Sequence, residues 1–127
     1  MEEQELMLKL GMYEQQIRQL QQQFQAVDEG ITELTSIDFG LDEIKGSTGK
    51  EILVQIGRGI FVKAEIRSED LIVNIGNKNL VKKDVPETKR ILREQIVKLE
   101  SVKKELAEKM DEIQEEAKNM ILAAQKE

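Results

Sequence analysis

The chain has 127 residues, 25 acidic and 19 basic, for a formal net charge of −6. It contains no cysteine, histidine or tryptophan, and its only aromatic residues are Tyr13, Phe24, Phe39 and Phe61. This excludes a disulfide framework, a zinc site of the usual Cys/His kind and a Cys–His or Ser–His nucleophile, and the acidic balance argues against binding nucleic acid. No apolar run is long enough to span a membrane. The N-terminus carries Glu2, Glu3 and Glu5, unlike the basic start of a signal peptide. High charge and few aromatics are the composition of long helices, so a soluble cytoplasmic protein rich in coiled coil is expected.

Residues 1–38 read as a first coiled-coil helix. Apolar side chains fall at Leu6, Leu10, Tyr13, Ile17, Leu20, Phe24, Val27, Ile31 and Leu34, alternately four and three residues apart. A sustained period of 3.5 predicts a left-handed coiled coil rather than an ordinary surface helix. At ~1.5 Å per residue the helix would be about 50 Å long. Glutamines such as Gln15, Gln16, Gln19 and Gln21 fall between seam positions and read as a solvated face. The pattern stops at Asp38, and Gly40 is the expected helix stop.

Residues 39–84 change to a period of two. Leu41 to Ile44 reads as a helical turn or loop. Strands are expected around Ile52-Leu53-Val54-Gln55-Ile56, Ile60 to Arg67, Leu71 to Ile75 and Leu80 to Lys83, separated by Gly57-Arg58-Gly59, Ser68-Glu69-Asp70 and Gly76-Asn77-Lys78-Asn79. An internal repeat offset by 19 residues aligns Val54 to Lys63 with Val73 to Lys82. It predicts two successive β-hairpins, with Gly and Asn supplying positive φ at the turns. Four short strands with so few large side chains do not make an independent domain; a small sheet of this kind needs a cover, and its edge strands stay open. The sheet is therefore expected to be completed by other chains. The oligomerisation residues would be Ile52, Val54, Ile56, Ile60, Phe61, Val62, Ile66, Leu71, Val73 and Ile75.

Residues 85–127 read as a second coiled-coil helix, with a seam at Leu92, Ile96, Leu99, Lys103, Leu106, Met110, Ile113, Ala117, Met120 and Ala124. Lys103 is its one polar member. Asp84 is placed to cap, with Glu87 three residues on and Pro86 in the first turn. The seams match in length, so the helices are expected to pair antiparallel within one chain, Leu6 beside Ala124 and Leu34 beside Ile96. The fold class is α+β: a long antiparallel coiled coil with two β-hairpins inserted between its helices.

The search for chemistry finds no enzyme and no cofactor. Gly46-Ser47-Thr48-Gly49-Lys50-Glu51 is only superficially like a phosphate loop: position 44 is Ile where a glycine is needed, and Glu51 stands where Ser or Thr would bind magnesium. Gly57-Arg58-Gly59 leads into a strand, not a helix. The carboxylates lie on solvated helix faces rather than in a pocket that would shift a pKa. The one anomaly is an excess of apolar residues off the seam at both chain ends. Met7, Leu8 and Met12 stand beside Leu6 and Leu10, and Ile121 and Leu122 beside Met120. In the antiparallel pair they coincide at one tip, where flexible methionines suit varied partners.

Two heptad helices flanking the motif Val54-Gln55-Ile56-Gly57-Arg58-Gly59-Ile60-Phe61-Val62-Lys63, its repeat through Val73-Asn74-Ile75-Gly76, and Val81-Lys82-Lys83-Asp84 resemble the alpha-type subunits of the prefoldin family across essentially the whole chain. The chain departs in having Asn77-Lys78-Asn79 where a second glycine is common, and Gln55 where proline is common. The resemblance implies an ATP-independent molecular chaperone subunit, assembled as two alpha-type and four beta-type chains through the hairpins. Its coiled-coil tips (Leu6, Met7, Leu8, Leu10, Met12, Met120, Ile121 and Leu122) would hold unfolded or nascent polypeptide and pass it to a group II chaperonin in the cytosol, with no role for nucleic acid or membrane. The alternative is a purely structural coiled-coil scaffold or tether.

Overall fold

A computed structural model describes residues 2–126. The elements in order are α1 (Glu3–Leu41), β1 (Glu51–Gly57), β2 (Ile60–Glu65), β3 (Leu71–Asn74), β4 (Leu80–Lys83) and α2 (Val85–Gln125). The chain forms two compact units, one of Met1–Thr32 with Val97–Glu127 and one of Glu33–Ile96. Among the described residues only two apolar side chains are buried, Val85 at 2% exposure and Leu106 at 8%. The fold therefore rests on half-buried seams rather than on a closed core.

The first unit is an antiparallel helix pair. Asp28 Oδ1 lies 2.7 Å from Lys103 Nζ, and a Cβ on Gly30 would stand 3.5 Å from Leu99 Cδ1. Every seam position expected in this unit, from Leu6 to Ile31 and from Leu99 to Ala124, is half-buried or buried. The side chains between them are exposed, apart from Asp28, Gly30 and Ala107, which border the seam. Side chains i, i+3 and i+4 share a helix face, so the alternating spacing of the sequence becomes one apolar stripe on each helix.

In the second unit the seam does not stop where the hydrophobic pattern stops. Helix α1 runs through Asp38 and Gly40 to Leu41, so Gly40 is helical and not the stop expected of it. Asp38 and Leu41 continue the spacing of α1, and Val85 and Lys89 continue that of α2 back from Leu92. Charge replaces hydrocarbon at this point. Lys89, 8% exposed, places Nζ 2.5 Å from Asp42 Oδ1 and 3.9 Å from Asp38 Oδ1, and Arg93 Nε lies 3.5 Å from Asp38 Oδ2. The hydrogen bond from Lys89 holds the Asp42 carboxyl below its ordinary range.

Past Leu41 the helix tightens into a turn. The amides of Asp42, Glu43 and Ile44 donate to the carbonyls of Phe39, Gly40 and Leu41 at 3.1 to 3.2 Å. The buried Ser47 hydroxyl donates to the Glu43 carbonyl, and the Gly46 amide donates to Glu69 Oε1 at 2.9 Å. Gly46 and Gly49 take φ of 70° and 88° and lead directly into β1. The segment that superficially resembles a phosphate loop is thus a helix exit.

The strands form two separate two-stranded sheets, β1–β2 and β3–β4, the two successive hairpins expected from the repeat. In the first, Val54 pairs with Val62 and Ile52 with Ala64, and a bulge lies between Gln55 and Gly57. In the second, Val73 pairs with Val81 and Leu71 with Lys83. Asp84 caps α2 by accepting from the Glu87 amide at 2.8 Å. The Glu87 carboxylate instead accepts from Lys83 Nζ at 3.1 Å.

The two hairpin turns differ in one respect that the internal repeat makes visible. Gly59 sits at φ 68°, and its counterpart in the second hairpin, Lys78, sits at φ 61° next to Asn77 at 49°. The Asn79 amide donates to the Gly76 carbonyl at 2.9 Å and the Ile75 amide to the Asn79 carbonyl at 3.0 Å. Two successive positive φ values at the centre of a four-residue turn make a type I′ turn, for which Asn-Gly is the preferred pair. Lysine therefore holds the left-handed backbone at a cost glycine avoids. Lys78→Gly is expected to raise stability by up to roughly 1 kcal/mol, the gain in turn geometry exceeding the added freedom of the unfolded chain. Thermal unfolding followed by circular dichroism measures it, and a lowered midpoint would show that the turn is not strained at Lys78.

Candidate functional site

Among the described residues two kinds of exposed apolar surface stand out. The first lies where α1 begins and α2 ends. Antiparallel pairing brings these ends together within the helix-pair unit. There Leu6, Leu10 and Met120 are half-buried in the seam. Met7, Leu8 and Met12 are 67%, 70% and 60% exposed, and Ile121 and Leu122 are exposed across the seam. A helix buries one stripe only, so apolar residues at neighbouring positions must face water. Gly11 lies in the same stretch of α1: a Cβ there would meet nothing, and glycine costs a helix about 1 kcal/mol relative to alanine.

The second surface is on the hairpins. Ile52, Val54, Val62 and Ala64 share one face of β1–β2, and Leu53, Gln55, Phe61 and Lys63 share the other. All are exposed except Ala64, which is half-buried, so both faces of this hairpin meet water. Ile56 in the bulge and Ile60 at the turn are exposed as well. In β3–β4 the face carrying Leu71, Val73, Val81 and Lys83 is half-buried, while Ile72, Asn74, Leu80 and Lys82 are exposed. Of the ten residues expected to mediate oligomerisation, Ile66, Leu71 and Val73 are partly covered by the chain itself and the other seven are exposed. Leu80 and Phe39, both exposed, were not expected there. Phe39 lies off the heptad beside Asp38, and only its bulk could have flagged it.

Each two-stranded sheet also leaves the outer edge of both strands unpaired. A lone hairpin is at best marginally stable in water, and open edges with apolar faces are an invitation to further pairing.

An open cleft in the second unit is lined by Lys45, Glu69, Asp70, Asp84, Val85 and Pro86. Its carboxylates are all engaged. Glu69 accepts from the Gly46 amide, Asp70 lies 3.4 Å from Lys82 Nζ, and Asp84 caps α2. Among the described residues no group of three or more acidic side chains is placed to hold a metal ion. No helix among the described residues is long and apolar enough to cross a membrane.

The family model for prefoldin subunits matches residues 13–127. The chain belongs to the prefoldin family. It is similar to the prefoldin alpha subunit of Methanobrevibacter smithii, 32% identical over 110 residues that cover 86% of this chain and 70% of the relative. It is also similar to the alpha subunit of Methanosphaera stadtmanae, 30% identical over 89 residues covering 70% and 64%. The match thus spans somewhat less than two thirds of the second relative's length. In fold the chain is similar to filamentous PFD from Methanocaldococcus jannaschii, solved by cryo-EM: the TM-score is 0.80 at 20% identity, covering 91% of this chain and 97% of the other. The two long helices and two intervening hairpins are accordingly a prefoldin fold of the alpha-subunit type.

Sequence reasoning missed the ionic cluster of Asp38, Asp42, Lys89 and Arg93 that joins the helices in the second unit of this prefoldin. Asp38 and Lys89 sit at heptad positions one step beyond the last apolar members, and extending both seams would have put opposite charges together. Asp38 and Lys89 side chains are 14% and 10% exposed, so the pair is nearly desolvated. Without Lys89, Asp38 keeps Arg93 and Asp42 is half exposed, so what is lost is chiefly the charged hydrogen bond to Asp42. Lys89→Ala is expected to destabilise the protein by about 1.5–3 kcal/mol, against about 1 kcal/mol or less for the exposed Arg18–Glu14 pair. Denaturant unfolding of the two variants compares them, and equal small losses would show that Lys89 is not structurally required.

Proposed function

We propose that this prefoldin chain is a subunit of an ATP-independent holdase chaperone, with its hairpins as the assembly surface and its helix tips as the grip on client polypeptide. The division of labour follows the chain: residues 1–38 and 85–127 form the coiled-coil arm, and residues 39–84 the oligomerisation segment. The observation that carries the reading is the excess of exposed apolar side chains at the paired ends, Met7, Leu8 and Met12 on α1 with Ile121 and Leu122 on α2. Along the rest of α1 up to Thr32 the positions off the seam are polar apart from Gly11, Ala26 and Gly30. On α2 the exposed apolar side chains of the helix-pair unit away from the tip are Val97 and Val102, so the shaft is largely polar. An arm of this kind with an apolar end can hold an unfolded segment with little sticking along its length. Methionine's flexible thioether lets the same grip fit many sequences.

In this reading the exposed faces around Val54, Val62 and Phe61 and the open strand edges close against hairpins of beta-type chains, two copies of this chain joining four partners. Several arms then engage one client. Each grip is weak and reversible, but linkage makes the later contacts intramolecular and raises the total affinity. Unfolded or nascent chains are the clients and a group II chaperonin is the recipient. No nucleotide is needed, because release requires only that individual weak contacts break.

Deletion of residues 1–12 and 119–127 is expected to leave assembly intact while suppression of aggregation of a chemically denatured client falls severalfold. Light scattering during client dilution reads the effect, with size-exclusion chromatography and multi-angle scattering as the control for assembly. Full suppression by the intact, truncated assembly would favour a purely structural scaffold.

A further inference from the structure

We infer that Lys103, with Asp28 and Phe24, reinforces the register in which α1 and α2 zip together within the helix-pair unit, adding to the selectivity of the Lys89 contacts with Asp38 and Asp42. Lys103 is the one charged residue among the seam positions of the helix-pair unit. Its Nζ lies 2.7 Å from Asp28 Oδ1 and 5.3 Å from the centroid of the Phe24 ring. The ammonium therefore has a carboxylate on one side and an aromatic face on the other. A polar side chain at a single seam position of a coiled coil specifies alignment at some cost in stability.

What gives these contacts their selectivity is the sequence one heptad away. The rest of the α1 seam is built largely of Leu, Ile and Val. A slip of seven residues would keep most apolar side chains opposite apolar side chains, so the hydrocarbon alone discriminates poorly between registers. Lys103 discriminates well. The residues one heptad from Asp28 are Gln21 and Thr35, and those one heptad from Phe24 are Ile17 and Ile31. A slip in either direction removes the carboxylate and the aromatic ring together, and leaves an ammonium in the seam with neither. The correct register is thus favoured less by what it gains than by what each neighbouring register loses.

The absence of cysteine from the chain makes the register directly readable. The contacts of Asp28 with Lys103 and of Gly30 with Leu99 place Leu20 opposite Met110. A full chain carrying Leu20→Cys and Met110→Cys reports the native register by disulfide formation, and one carrying Leu20→Cys and Ala117→Cys reports the slipped one. With Lys103 present, only the first pair is expected to oxidise efficiently. In the Lys103→Leu background the slipped pair is expected to cross-link roughly tenfold more, the ratio that about 1.4 kcal/mol sets, while the thermal midpoint rises because the seam becomes fully apolar. Asp28→Asn provides a second variant: it deprives Lys103 of its anion in the native register, so the slipped cross-link should increase while the midpoint falls. If neither variant increases the slipped cross-link, Lys103 does not reinforce the register. A lowered midpoint in Lys103→Leu would assign Lys103 an ordinary stabilising ion pair instead.

Discussion

The seam between α1 and α2 is what the rest of the molecule depends on. With only Val85 and Leu106 buried among the described apolar residues, no interior exists to hold the chain together. Stability must come from a long line of side chains that are each half covered. Such a line grows with helix length, which explains helices of 39 and 41 residues in so short a chain. It also explains the composition. Two helices sharing one stripe leave most of their surface in water, and that surface is where glutamate, glutamine and lysine belong.

The same economy exposes the hairpins. Their apolar residues alternate as strands require, yet the chain has nothing large enough to cover both faces of β1–β2. Phe61 and Leu53 on one face and Val54 and Val62 on the other remain in contact with water. In a protein that functioned alone this would be a liability. In the proposed assembly it is half of an interface. Where the seam itself must pass from hydrocarbon to charge, at Asp38 and Lys89, the charges are matched and nearly desolvated, so the joint is specific without being greasy. Lys103 repeats the device in the helix-pair unit with a more exposed partner.

Much of this was legible in the amino-acid sequence for a physical reason. Both periods, 3.5 in the helices and 2 in the strands, are properties of side-chain direction and need no tertiary information. Each seam residue from Leu6 to Leu34 and from Leu92 to Ala124 is covered as its spacing requires. The end of α1 was less legible, because Asp38 breaks a hydrophobic pattern without breaking the helix; its counter-ions lie 51 and 55 residues away in sequence. The left-handed backbone at Lys78 was hidden for a related reason. The repeat aligned it with Gly59, but side-chain identity pointed away from positive φ. The division of the strands into two hairpins was legible, because the 19-residue repeat carries a turn signal between each pair of strands. At the tips the apolar residues were visible as departures from the heptad, and their exposure follows from that departure.

In the proposed assembly this chain's exposed hairpins are completed by other chains. Native mass spectrometry of the chain purified alone, and then together with a beta-type prefoldin chain, tests it most directly. The account predicts a particle with two copies of this chain and four of the partner, lost when Ile60→Lys and Val62→Lys are introduced together. A chain that stays monomeric in the presence of the partner, or a double variant that assembles as well as the parent, would contradict it.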